Sequence, residues 1–130
     1  MYLLDSTVVT CFFTGRGRVA ERLLAIPPGE VALSSLSLFE LAAAVARSPE
    51  ADKRRGDLLR LVDLIRIVPF GKGEAAAAAA ARAQLEREGR SIPPLQILIL
   101  GTALTHHAVL VTHPAERYEG IDGIQVQDWY

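Results

Sequence analysis

The chain has 130 residues, of which 50% are hydrophobic and 22% are charged. This composition excludes a disordered protein, and the length predicts a single domain over residues 1–130 that buries its own core. The formal net charge of -1 excludes a protein that attracts nucleic acid through an overall positive field. Any contact with nucleic acid must therefore come from local clusters of basic residues.

The chain also carries few signs of an oxidising or membrane environment. Its one cysteine, Cys11, cannot form an intrachain disulfide, which is typical of a reducing compartment. The first residues lack the pattern of a signal peptide, and no apolar stretch approaches the roughly 20 residues of a membrane helix. We therefore expect a cytoplasmic protein with no membrane association.

The first half of the chain alternates predicted strands and helices. The apolar run Tyr2–Leu4 predicts a short buried strand that ends at Asp5. Ser37 and Glu40 have the spacing of a capping box in front of an apolar helix. The predicted elements after the first strand are a helix from near Val8 capped by Ser6 or Thr7, a helix over Val19–Ile26, a strand at Val31–Leu33 and a helix over Leu41–Val45.

The second half continues the alternation. An unbroken alanine run, Ala75–Ala81, predicts a helix because alanine has the highest helix propensity. The predicted elements in order are a helix around Leu58–Ile65, a strand at Ile67–Val68 closed by Pro69, the alanine helix up to Gly89, an apolar helix over Leu95–Leu104 started by Pro93–Pro94, and strands at Val109–Val111 and Ile124–Val126.

The predicted strands are short and wholly apolar, as in a parallel sheet that helices cover on both faces. We therefore expect an α/β fold of three layers, with a central, mostly parallel sheet of five strands. No internal repeat or linker divides the chain.

Five polar residues are predicted near the carboxyl ends of these strands, where open α/β sheets bind ligands. Asp5 ends the first strand, and Glu40 lies in the helix after the second. His113 and Glu116 follow the fourth strand, and Gln96 lies early in the helix before it. We expect these side chains to approach one cleft.

Four segments, taken together, resemble a known family. They are Leu3–Thr7, Ser34–Leu41, Glu86–Ile99 and the terminal segment Leu110–Pro114 with Ile121–Ile124 and Asp128–Trp129. In this order and spacing they resemble the PIN-domain family, and in particular VapC-type toxins. The resemblance runs along essentially the whole chain and implies a PIN-like three-layer fold.

The resemblance also implies an activity and partners. PIN domains of this type cleave RNA with Mg²⁺ or Mn²⁺ held by acidic residues, because hard cations prefer oxygen ligands. It implies that Asp5 and Glu40 are the catalytic and metal-binding residues, with Gln96 and Glu116 as auxiliary metal ligands. It further implies a homodimer and a small antitoxin-like protein partner.

The sequence departs from the family pattern at four positions. In the opening motif Thr7 replaces a usual Asn. Gln96 stands where the third motif normally has Asp, Pro114 stands where Asn or Asp is usual, and Arg117 stands where a further Asp is common. Metal affinity depends strongly on the number of charged ligands. We therefore expect weakened metal binding. An imidazole ligand from His113 would shift the preferred ion from Mg²⁺ toward Mn²⁺ or Zn²⁺.

Simpler interpretations of these residues remain open. Asp5 is also well placed to cap the following helix, and Gln96 to be an ordinary helix residue. The basic clusters, including Gly15–Arg18, are typical of a solvated surface as much as of phosphate contacts. The alternative function is a catalytically inactive PIN-like module that binds RNA or an antitoxin-like protein.

Overall fold

The computed structural model covers residues 1–130 and contains one sheet. Its strands are β1 (Tyr2–Leu4), β2 (Val31–Ser34), β3 (Arg66–Val68), β4 (Val109–Val111) and β5 (Gln125–Gln127). They are arranged in the order β3-β2-β1-β4-β5, and every neighbouring pair is parallel. The predicted five-stranded sheet is confirmed, and it is parallel throughout.

Six helices and two short 3₁₀ turns connect the strands. The helices are α1 (Ser6–Thr14), α2 (Val19–Leu24), α3 (Ser35–Ala46), α4 (Ala51–Leu64), α5 (Lys72–Arg87) and α6 (Pro94–Thr105). The 3₁₀ turns are Pro28–Glu30 and Ala115–Tyr118. No helix combines the length and apolar character that crossing a membrane requires.

The two faces of the sheet build two separate cores, because successive side chains of a strand point to opposite faces. Leu3 and Leu110 pack with α5 and α6 on one face. Leu4, Leu33 and Val111 pack with α1, α2 and α4 on the other. Helices therefore cover both faces, which confirms the predicted three-layer α/β/α fold.

The alanine run forms part of α5, and it packs closely on α6. A Cβ atom built on Gly101 of α6 would lie 2.6 Å from the Cβ of Ala78 on α5. Real side-chain atoms do not approach so closely, so only glycine fits at this position. Small residues on both helices thus allow the two backbones to approach each other.

The predicted helix starts were wrong at two functional positions. α1 begins at Ser6 and is capped by Asp5, whereas Ser6 and Thr7 lie inside the helix. α3 begins at Ser35, and its cap is Ser34, whose hydroxyl accepts a hydrogen bond from the Ser37 amide at 3.0 Å. Both helices start directly at the end of a strand. The spacing of Ser37 and Glu40 is therefore not a capping box, and Glu40 lies within the helix.

Candidate metal site

The candidate site lies at the carboxyl edge of the sheet, next to the end of β1. β1 lies between β2 and β4. The strands β2 and β3 lie on one side of it, and β4 and β5 lie on the other side. Ligands of open α/β sheets bind at this kind of switch point. Asp5 follows β1 there, and its amide donates a hydrogen bond to the Val111 carbonyl at 3.0 Å.

The carboxylate of Asp5 is buried, with 7% of the residue exposed. Its Oδ1 accepts hydrogen bonds from the Val8 amide at 3.0 Å and the Thr7 hydroxyl at 2.6 Å. Its Oδ2 accepts a hydrogen bond from the Thr112 hydroxyl. Burial raises the pKa of Asp5 above its ordinary value, and the hydrogen bonds from Thr112, Thr7 and Val8 offset part of that rise.

Glu40 lies close to the same end of α1. The Ser6 hydroxyl donates a hydrogen bond to Oε1 of Glu40 at 3.0 Å, and Ser6 directly follows Asp5 in the chain. α3 therefore brings its carboxylate to the first turn of the helix that Asp5 caps.

The charges of Asp5 and Glu40 both affect the pKa of Tyr118. The side chain is buried in the 3₁₀ turn after β4. Burial raises the pKa of Tyr118 to about 12, helped by the negative charges of Asp5 and Glu40 and opposed by Arg117. The phenol therefore lies within the electrostatic field of the acidic pair.

The other predicted ligands are less closely connected to this pair. Gln96 is half-buried in the first turn of α6, and Glu116 is exposed in the 3₁₀ turn. Neither side chain makes a hydrogen bond or ion pair with Asp5 or Glu40. No group of three or more His, Cys, Asp or Glu residues is placed to hold a metal ion. The auxiliary role of Gln96 and Glu116 stays a prediction.

The donor set around Asp5 and Glu40 nevertheless suits a hard cation with few protein ligands. An ionised carboxylate offers about four acceptor sites, and Asp5 uses three of them on protein donors. Mg²⁺ is often held through one or two carboxylates and completes its coordination with water and substrate phosphates. The two carboxylates fit this pattern, with less charge than a larger acidic cluster would supply.

A polar cavity of about 360 Å³ adjoins the first turn of α1. Its lining consists of Ser6, Thr7, Thr10, Cys11, Arg16, His113 and Tyr130. The rings of His113 and Tyr130 stack with their centroids 4.1 Å apart and an interplanar angle of 10°. The cavity thus combines an aromatic pair with a cationic side chain.

Asp128 fixes the imidazole of His113 in this cavity. The Nδ1 atom of His113 lies 2.9 Å from a carboxylate oxygen of Asp128. Partial burial on its own would raise the pKa of Asp128, but the hydrogen bonds from His113 and the Tyr130 amide hold that pKa below its ordinary value. His113 is engaged with Asp128 through this nitrogen.

Sequence reasoning missed the hydroxyl groups that surround the acidic pair. Thr112 directly follows β4, so its position at the same sheet edge was available from the strand prediction. Tyr118 lies in an irregular segment whose sequence has no periodic signal. The stacking of Tyr130 on His113 also had no sequence signal, because it depends on how the last residues turn back toward α1.

Comparison with known proteins supports a family assignment. The tRNA(fMet)-specific endonuclease VapC of Shigella flexneri is 26% identical over 131 residues, which cover 98% of this chain and 97% of that protein. The structure of VapBC2 from Rickettsia felis, bound to a DNA fragment from its promoter, superposes with a TM-score of 0.91 at 21% identity. The superposition covers 99% of this chain and 98% of the matched chain.

FitAcB from Neisseria gonorrhoeae superposes with a TM-score of 0.85 at 26% identity, covering 97% of this chain and 96% of its own. Residues 2–116 match the PIN domain family model. That match covers most of the chain and includes both Asp5 and Glu40. The chain belongs to the PIN domain family.

Proposed function

We propose that this protein is a metal-dependent endoribonuclease of the VapC type, with Asp5 and Glu40 as its metal ligands. The observation that carries the proposal is the position of these two carboxylates. They lie at the switch point of the sheet. Ser6 connects them, because it directly follows Asp5 in the chain and its hydroxyl donates a hydrogen bond to Glu40. The endonuclease activity named for the Shigella flexneri relative supports the reaction class.

The ion is Mg²⁺ or Mn²⁺, because the available donors are oxygen atoms. Bound between Asp5 and Glu40, such an ion would supply charge stabilisation to phosphoryl oxygens and acidify a water molecule. Gln96 would add an amide oxygen and Glu116 a carboxylate. The replacement of expected acidic ligands by Gln96, Pro114 and Arg117 supports weaker metal binding and weaker cleavage than a complete acidic site would give.

The protein residues have defined parts in this proposal. Thr112, Thr7 and the Val8 amide hold the carboxylate of Asp5 in one orientation. Ser6 does the same for Glu40. The two side chains therefore need little reorganisation when a cation and an RNA phosphate enter.

The test is cleavage of RNA in excess Mn²⁺ by the unsubstituted protein, Asp5→Asn and Glu40→Gln. We expect cleavage only by the unsubstituted protein. Glu30→Gln is the matched control, because it removes an exposed carboxylate just before β2, at the opposite edge of the sheet. Equal cleavage by all four proteins would reject the assignment of the site.

A second candidate function is a module that binds RNA or an antitoxin-like protein without cutting. The observation that favours it is the absence of a cluster of three ligating side chains. Thermal unfolding with added Mn²⁺ separates the two functions. Specific binding at about 100 times Kd stabilises a protein by about 2.7 kcal/mol. A shift of this size that disappears in Asp5→Asn would count against the second function.

The antitoxin-like partner has a candidate binding surface. An apolar groove of about 470 Å³ lies between α1, α2 and α4. Leu24 and Leu64 line it and are 80% and 64% exposed. Exposed apolar side chains in a groove suit the apolar face of an amphipathic helix. One of the solved structures that this chain resembles is a toxin-antitoxin complex from Klebsiella pneumoniae.

This partner proposal is tested by co-purification with a candidate small antitoxin-like protein. We expect Leu24→Asp to abolish co-purification. Leu59→Asp is the matched control, because Leu59 is 57% exposed but lies outside the groove. Loss with both variants, or with neither, would reject the groove as the binding surface.

A homodimer is also proposed. Phe39 on α3 is 68% exposed, although its neighbour Leu41 is buried in the core. A large exposed aromatic residue favours a contact surface. Sedimentation should show a dimer that Phe39→Glu converts to a monomer.

We further propose a cytoplasmic location, in line with the free, buried thiol of Cys11.

A further inference from the structure

We propose that the cavity beside α1 binds one nucleotide of single-stranded RNA, with the base against Tyr130 and a phosphate against Arg16. The inference rests on the proposed nuclease function and identifies where the RNA strand lies next to the acidic pair. It is carried by an aromatic stack, an unpaired guanidinium and hydroxyl groups that the cavity and the acidic site share.

The aromatic part of the cavity is preorganised. Asp128 contacts Nδ1 of His113 at 2.9 Å and accepts a hydrogen bond from the Tyr130 amide at 2.9 Å, so one carboxylate holds both stacked residues. Tyr130 keeps 49% of its surface exposed. A fixed and accessible aromatic ring stacks on any base, since every base has a π-face.

Arg16 supplies a positive charge that no acidic side chain neutralises. Its Nε atom donates to the Thr14 hydroxyl at 3.2 Å, and it takes part in no ion pair. The two terminal nitrogens of the guanidinium are therefore available, and their planar geometry suits two phosphate oxygens. The residues that line the cavity include no Asp or Glu.

The loop that carries Arg16 packs against Tyr130. A Cβ atom built on Gly17 would lie 2.8 Å from the Cα atom of Tyr130, and Gly17 has a positive φ of 64°. Only glycine allows this contact, so the backbone next to Arg16 is held against the aromatic residue. The spacing between the stacking ring and the cation is thus set by the fold.

Two hydroxyl residues connect the cavity to the acidic pair. Ser6 and Thr7 line the cavity, and they also donate hydrogen bonds to Glu40 and Asp5. A nucleotide in the cavity would therefore place its neighbouring phosphate next to the carboxylates. Stacking and a phosphate contact predict binding that tolerates different bases and requires a single strand.

The test is fluorescence anisotropy with a labelled single-stranded RNA in EDTA, where no cleavage occurs. We expect Tyr130→Ala to weaken binding roughly tenfold, as loss of a base–aromatic stack does. We expect Arg16→Ala to weaken binding and to reduce the slope of log Kd against log salt by about 0.7, as loss of one phosphate contact does on a single strand.

Two matched variants serve as controls. Tyr130→Phe keeps the stacking ring and should bind as the unsubstituted protein does. Arg66→Ala removes an exposed arginine at the start of β3, where Arg66 contacts Met1 at the opposite edge of the sheet. It should change neither the affinity nor the salt slope.

Unchanged affinity in both Tyr130→Ala and Arg16→Ala would overturn the proposal, and so would an absence of saturable binding by the unsubstituted protein. Equal losses in Tyr130→Ala and Tyr130→Phe would overturn the stacking role. The proposed nuclease function fails separately, through an absence of metal-dependent cleavage, because binding in EDTA does not depend on the metal site.

Discussion

The hydroxyl of Thr112 donates a hydrogen bond to Oδ2 of Asp5 and so joins the residue after β4 to the residue after β1. The other carboxylate oxygen of Asp5 caps α1 through the Val8 amide. One side chain therefore connects two neighbouring strands, starts a helix and faces the candidate metal site. Its burial raises its pKa, which means that its ionised form destabilises the fold when no cation is bound.

Replacing Asp5 by Asn should separate its structural and functional roles. Asn caps helices as well as Asp does, and its amide can donate to the Thr112 hydroxyl, but it carries no charge. We expect Asp5→Asn to be at least as stable as the unsubstituted protein at neutral pH in EDTA. Asp5→Ala loses the cap and should be less stable than Asp5→Asn by about 1 kcal/mol, measured by urea unfolding.

The pH dependence of unfolding provides an independent check on Asp5. Its pKa in the folded state is raised above the ordinary 3.8. The folded state therefore binds more protons than the unfolded state between those two values, and stability falls as pH rises through that window. In EDTA, the stability advantage of Asp5→Asn should grow as pH rises from about 3.8 and then level off. A constant difference at all pH values would contradict the raised pKa.

Adding an acidic ligand at position 96 should strengthen metal binding. Gln96→Asp supplies the charge that the amide lacks, and charge count is a main determinant of affinity for hard cations. We expect the Mn²⁺ affinity, measured by calorimetry, to rise roughly tenfold or more. Gln125→Asp adds the same charge to an exposed position in β5 and should leave the affinity unchanged. An equal effect of both variants would indicate a general electrostatic effect.

Tyr118 should limit the stability of the protein in alkali. Its pKa is raised to about 12, so its phenol ionises more readily in the unfolded chain, where the ordinary value is 10.0. The stability contribution of the neutral phenol is complete below pH 10 and is lost as pH rises toward 12. Tyr118→Phe cannot ionise and should show a flatter fall in stability over this range. Chemical unfolding monitored by circular dichroism at several alkaline pH values measures the difference.

Gly15 and Gly17 form a matched pair for testing the contact with Tyr130. Both have positive φ, at 69° and 64°, so alanine at either position costs about 1–2 kcal/mol of backbone strain. A Cβ on Gly15 meets nothing within 4 Å, whereas one on Gly17 would collide with the backbone of Tyr130. Gly17→Ala should therefore be the less stable variant in urea unfolding. Equal losses would show that the loop can move away from Tyr130.

The sequence predicts most of the fold because its strands and helices have clear, separate patterns. The apolar runs at Tyr2–Leu4 and Val109–Val111 match β1 and β4 residue for residue. Helix starts are less predictable, because Asp5, Ser6 and Thr7 are all good caps and only the geometry of the strand end selects among them. The same competition explains the mistaken capping box at Ser37.

The acidic pair is predictable in part, for a different reason. Asp5 follows a strand, so its edge of the sheet is fixed by topology. Glu40 reaches that edge only through the way α3 packs on α1, where Ser6 donates to its carboxylate. Packing between helices leaves no local pattern in the sequence. The environment of Tyr118 and the stacking of Tyr130 are hidden for the same reason.

The contact between Gly101 and Ala78 has a consequence for the far end of α6. These two small residues set the distance between α6 and α5. The first turn of α6 carries Gln96. A bulkier side chain at the crossing would push α6 away from α5 and displace that first turn with it. The low-complexity alanine segment therefore sets the position of α6, and with it the position of residue 96, although it contributes no chemical group itself.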